Sequence, residues 1–128
     1  MTTDIGLLDG NVKNVIDNYE NTFYLSTESV KELILFYRKQ KNKRKYWKNE
    51  TEMILSIEKT LNIKILLVKK EHLLTYATLT INEVQDHRDP SDHIIISQAI
   101  TERMPLISSD RKFNFYTGQG LDFVYNER

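Results

Sequence analysis

Cysteine is absent from the 128 residues, so neither a disulfide framework nor a thiolate metal site is open to this chain. Charge of one sign is not in excess either: 18 Lys and Arg stand against 18 Asp and Glu. A polyanion would therefore have to be bound by a local patch rather than by the whole surface. No apolar run approaches the roughly 18–20 residues that cross a bilayer, and Met1-Thr2-Thr3-Asp4 is not the basic start of a signal peptide. A soluble cytoplasmic protein is the expectation. Glycine is scarce, and Gly6, Gly10, Gly118 and Gly120 do not make a phosphate-cradling loop between strand and helix. His87-Arg88-Asp89 matches a kinase catalytic loop, but no Gly-rich loop or strand lysine accompanies it, which excludes that reading.

What remains is an alternation of helical and strand patterns over a chain long enough for one core, read as a single domain over 1–128. Asp9 caps a helix running to Tyr19, and Phe23–Thr27 is a short aromatic strand. Val30, Leu33, Ile34 and Tyr37 recur at helical spacing over Glu28–Arg38, as do Met53, Ile54, Ile57 and Leu61 over Asn49–Leu61. Ile63–Val68 is a second strand and Glu71–Leu79 a further helix. Asp89 at an N-cap and Pro90 in the first turn open a helix to Arg103. Leu106–Ser108 is a third strand, Arg111–Tyr116 a single helical turn, and Leu121–Tyr125 a last strand. The fold class is α/β, a three-layer sandwich on a mostly parallel sheet.

In such a sheet, strand ends and helix starts share the rim where ligands bind. Three acids fall there: Asp92 in the first turn of the Asp89–Arg103 helix, Asp110 just past the third strand, and Glu32 on the helix after the first. Each has a plain structural role open to it. Asp92 suits the helix dipole and a capping box with Asp89, Asp110 can start a turn, and Glu32 can be a solvated surface charge. Together they would repel one another unless a cation intervened, and oxygen donors without cysteine suit Mg²⁺ or Mn²⁺. His72, His87 and His93 have no metal-binding spacing on one helix face and read as structural.

His87-Arg88-Asp89-Pro90-Ser91-Asp92-His93, the Ile94–Ala99 helix and Pro105-Leu106-Ile107-Ser108-Ser109-Asp110-Arg111-Lys112-Phe113 resemble the C-terminal half of PIN domains. The VapC-type toxins of bacterial toxin–antitoxin pairs carry this pattern. The resemblance implies a metal-dependent endoribonuclease that hydrolyses RNA phosphodiesters with metal-activated water. It implies Glu32, Asp92 and Asp110 as metal-holding catalytic acids, with Ser108 and Asp89 in support. A homodimer and an antitoxin partner follow from the family alone.

One departure is expected to matter. The family opens on an apolar strand ending in the first metal-ligand Asp, a strand central to its sheet. Met1–Leu8 has no such pattern, as though roughly 10–20 residues, one strand and a short helix, were missing. Asp4 and Asp9 are poor substitutes; a strand from Ile5–Leu8 or from a second subunit would be the repair. The competing reading is therefore an inactive PIN-like relic or partner-binding module. Arg38–Lys48 carries seven cations in eleven residues beside Tyr46 and Trp47. Either it is a solubilising helix end, or Lys43, Arg44, Lys45 and Trp47 form an RNA-phosphate and base-stacking patch, with Trp47 equally open to a place in the core or against an antitoxin peptide.

Overall fold

A computed structural model describes residues 22–40 and 47–127. The helix expected at Asp9–Tyr19, Asp4, the Ile5–Leu8 strand, and Lys43, Arg44 and Lys45 lie outside these described residues. The elements run β1 (Phe23–Ser26), α1 (Thr27–Lys39), α2 (Glu50–Lys59), β2 (Ile63–Leu66), α3 (Lys70–Thr78), α4 (Pro90–Glu102), β3 (Leu106–Ser108), a 3-10 helix (Arg111–Gln119) and β4 (Phe123–Tyr125).

The helices start where side-chain oxygens meet the orphan N–H groups of a first turn. Ser26 Oγ accepts from Glu28 N–H at 3.1 Å, so β1 passes into α1 without a loop. Asn49 Oδ1 accepts from Glu52 N–H at 2.8 Å, and Asp89 Oδ1 from Ser91 N–H at 3.0 Å. Arg103 ends the long helix α4 in the left-handed region, at φ 54°. Trp47 lies against Tyr37, whose hydroxyl donates to the Trp47 carbonyl, so this tryptophan is tied to α1.

The strands pair in parallel, β1 with β2 (Phe23 opposite Ile63) and β3 with β4 (Leu106 opposite Phe123). Among the described residues these are two two-stranded sheets rather than one continuous sheet. One core cluster gathers Leu25, Val30 and Ile57 between β1 and its helices. The other gathers Ile95, Ile96, Ala99, Leu106, Phe113, Tyr116 and Leu121. Leu66 from β2 packs on this second cluster, and the Gln98 amide reaches its carbonyl at 3.4 Å, joining the two halves. The α/β class with parallel pairing is as expected. Several boundaries shift by a residue or two, β2 for instance ending at Leu66, and two shifts have a tertiary cause. The turn at Arg111–Tyr116 continues to Gln119, where Gly120 adopts φ 103°, a conformation glycine takes without strain. The last strand begins at Phe123, because Leu121 is drawn into the core instead.

Ile96 is completely buried. Ile96→Ala should therefore cost about 2–5 kcal/mol of unfolding free energy, read from urea denaturation. A loss below about 1 kcal/mol would mean that this cluster is not the main core.

Candidate metal centre

Three local structures deliver the acids to one place. Glu32 stands on the second turn of α1, the helix that Ser26 starts at the end of β1. Asp92 sits in the first turn of α4. Asp110 caps the 3-10 helix just beyond β3: its Oδ1 accepts from Lys112 N–H at 2.9 Å, and its own N–H donates to Ser108 Oγ at 3.1 Å. Ser108 is buried and so holds the backbone of the acid two residues on. Glu32, Asp92, Ser108 and Asp110 all line one open cleft of about 660 Å³, with Gln85, Arg111, Lys112 and Tyr125 among its other walls.

Asp92 is the hub. Carboxylate oxygens of Glu32, Asp89 and Asp92 lie within 4.8 Å of one another, and so do donor atoms of Asp92, Asp110 and His87. The expected acids are thus brought together, and Asp89, the helix cap, stands beside them. The capping-box role open to Asp92 is not the one it takes: its Oδ2 lies 3.1 Å from His87 Nε2. His87 was readable only as one of three structural histidines. It is buried, with Nδ1 2.9 Å from the Tyr116 hydroxyl. His72 and His93 are buried too, the first bonded to Glu102 at 2.9 Å and the second to the His87 carbonyl at 2.8 Å.

The electrostatics fit a cation. Burial comes first in lifting the Asp92 carboxyl above its usual value; Asp89 and Asp110 add to it, and the hydrogen bond from the His87 imidazole opposes it. Glu32 is also raised, by desolvation against the cleft wall first, then by Asp89, Asp92 and, more weakly, Glu28, with Lys31 opposing. Groups that resist ionisation because they crowd one another and shed water are the ones a divalent ion relieves. All the acid donors are oxygens, which suits a hard ion such as Mg²⁺ or Mn²⁺. The single imidazole of His87 is already shared between Tyr116 and Asp92.

Two positive side chains on the rim escaped the sequence reading. Arg111 stacks 4.8 Å from the Tyr125 ring centroid, and Lys112 lines the cleft beside it. The signal was their position directly after Asp110, where the residues following a strand end must also face the rim. The segment singled out instead, Lys43–Lys45, falls outside the described residues.

A raised carboxyl means that the folded chain holds its proton more tightly than the unfolded chain. Without a cation, stability is therefore lost as pH rises from the usual carboxylate range through the raised values of Asp92 and Glu32. Cation affinity grows across the same window, because binding needs the ionised forms. Mn²⁺ titrated calorimetrically at about pH 5 should release protons, seen as a buffer-dependent heat, and Asp92→Asn should reduce that release. Heats independent of the buffer would contradict the site's electrostatics.

A family model described as PIN domain matches residues 8–117. Among solved structures, VapBC2 from Rickettsia felis, crystallised with a DNA fragment from its promoter, superposes with a TM-score of 0.64 at 17% identity, covering 94% of this chain and 86% of the other. VapBC-5 from Mycobacterium tuberculosis, a member of the VapBC family of toxin–antitoxin systems, superposes with a TM-score of 0.52 at 16% identity, covering 80% and 79%. At these identities the likeness is one of fold. No curated protein matches in sequence.

Proposed function

The chain belongs to the PIN domain family, and from that premise we propose that it is a VapC-type toxin, a Mg²⁺- or Mn²⁺-dependent endoribonuclease acting as one domain in the cytoplasm. The observation that carries this reading is the meeting of Glu32, Asp92 and Asp110 at one cleft, with Asp92 common to two groups of donors.

Asp92 and Asp110 would hold the ion, and Glu32 would complete the acidic cage from α1. When bound, the cation supplies Lewis-acid chemistry: it makes water a better nucleophile at neutral pH and stabilises the oxygen leaving a phosphodiester. The protein's own contribution is positional. Ser108 fixes the backbone that carries Asp110, and the Asp89 cap fixes the start of the helix that carries Asp92. Arg111 and Lys112, which line the same cleft, offer positive charge to RNA phosphates, which an otherwise acidic site needs to admit a polyanion. Arg111 lies over the Tyr125 ring, and its guanidinium suits bidentate contact with a phosphate.

The partner reading rests on the fold. Both superposed structures are of VapBC systems, which supports an antitoxin protein as partner. A homodimer belongs to the same proposal. Among the described residues no helix is long and apolar enough to cross a membrane.

Purified chain with Mg²⁺ should cleave RNA, and Asp92→Asn or Asp110→Asn should lower the rate at least about a hundredfold. Undiminished cleavage by those variants would remove the mechanism, and absence of cleavage by the parent chain together with tight antitoxin binding would favour the partner-binding module. Separately, Arg111→Glu and Lys112→Glu in the Asp110→Asn background should each weaken RNA binding and reduce the salt slope by about one. An unchanged slope would show that phosphates do not pass this rim.

A further inference from the structure

The connection between α3 and α4 has little regular structure, yet side chains hold it tightly to the 3-10 helix. Thr80 N–H donates to Gln119 Oε1 and the Gln119 amide donates back to the Thr80 carbonyl, both at 2.9 Å. Asn82 N–H donates to the Tyr116 hydroxyl oxygen at 3.0 Å, and the Asn82 amide donates to the Lys112 carbonyl at 3.2 Å and to Gln85 Oε1 at 2.7 Å. His87 N–H then closes the turn on the Asn82 carbonyl at 3.0 Å. Ordering a segment of this kind costs backbone entropy at every residue, and these bonds offset it. What the segment delivers at its end is the imidazole of His87.

That ring is fixed on several sides. His93 meets it edge-on at 4.9 Å between centroids, and Phe113 and Tyr116 flank it at 5.4 and 5.6 Å. The two ring nitrogens have different partners, and the chemistry of those partners sets the tautomer. The Tyr116 oxygen already accepts from Asn82 N–H, and its proton has His87 Nδ1 as acceptor at 2.9 Å. Burial first, and then Asp92 and Asp110, hold this hydroxyl above its usual pKa against the opposing bond from Asn82, so it keeps its proton. With Nδ1 accepting, the ring proton is on Nε2, which donates to Asp92 Oδ2 at 3.1 Å.

We infer that His87 is a positioning residue for the cation site: locked in its Nε2–H tautomer by Tyr116, it ties one oxygen of Asp92 and leaves the other for the ion. The inference rests on the metal-site reading above and extends it to a buried relay, Asn82 to Tyr116 to His87 to Asp92. A ligating carboxylate that is itself hydrogen-bonded has its orientation fixed in advance, and loss of such a partner lowers metal affinity about 10- to 100-fold. A histidine that served packing alone would leave affinity unchanged once its ring was replaced by another of similar shape.

Mn²⁺ affinity, measured by calorimetry on the full chain, tests this without recourse to catalysis. His87→Phe keeps a flat ring among His93, Phe113 and Tyr116 but has no donor; it should raise Kd about 10- to 100-fold. His87→Gln restores an N–H near the Nε2 position and should recover most of that loss. Should His87→Phe fail to fold, the parent chain still decides: its imidazole ¹⁵N spectrum should show the Nε2–H tautomer, both without a cation and when saturated with Mg²⁺. A folded His87→Phe chain with the parent's Kd, an Nδ1–H tautomer, or loss of the Nε2 proton on Mg²⁺ binding would each overturn the relay, the last in favour of direct ligation by His87. A parent chain that binds no Mn²⁺, or an Asp92→Asn, Asp110→Asn double variant that binds it equally well, would instead overturn the metal site itself, and the relay with it.

Discussion

The mutual repulsion of carboxylates around the first turn of α4 is the constraint to which the rest of the structure answers. Glu32, Asp89 and Asp110 all stand near Asp92, which is itself partly withdrawn from water. Helix α4 contributes a favourable N-terminal dipole, worth only about 0.3–1 kcal/mol at an exposed site, and His87 contributes one hydrogen bond. Neither removes the conflict: Asp92 and Glu32 both remain raised, by burial first and by the neighbouring acids second. Each acid is held by an element boundary: Asp110 at the end of β3, Asp92 beside a capped helix start, Glu32 one turn into a helix that begins at a strand end.

The architecture explains why these boundaries coincide. Within each parallel pair the two strands end on one edge, and the segments that follow β1 and β3 start there, on Ser26 at the end of β1 and on Asp110 braced by Ser108. The two core clusters are built separately, one from residues of β1, α1 and α2 and the other from α4, β3 and the 3-10 helix. The cleft is lined by Glu32, Asp92 and Asp110 together with Arg111 and Lys112. An arrangement of opposite charges in one cleft suits a ligand that is itself an anion but whose reacting centre must lie against a cation.

Local signals made much of this legible in advance. Asp89-Pro90 announces a helix start because proline there loses no hydrogen bond, and α4 begins at Pro90. The apolar spacing of Val30, Leu33 and Ile34 places α1, and Val30 is buried with both neighbours packed against it. The convergence of Glu32, Asp92 and Asp110 could be anticipated because strand ends and helix starts are themselves local features. His87 could not be assigned its place in this way. Its partner Tyr116 is 29 residues distant and its role depends on a turn held by Asn82, contacts that no periodicity encodes. Likewise the 3-10 helix outran its expected single turn because Tyr116 and Leu121 are both anchored in the core, a tertiary demand rather than a local preference.

The most direct test of the account is to locate the ion. Crystals of the chain grown with Mn²⁺ should give an anomalous difference peak in the cleft, within about 2.0–2.6 Å of carboxylate oxygens of Asp92 and Asp110, with Glu32 facing it. A well-occupied Mn²⁺ elsewhere on the molecule, with the oxygens of Asp92 and Asp110 turned apart and bound to water alone, would contradict it.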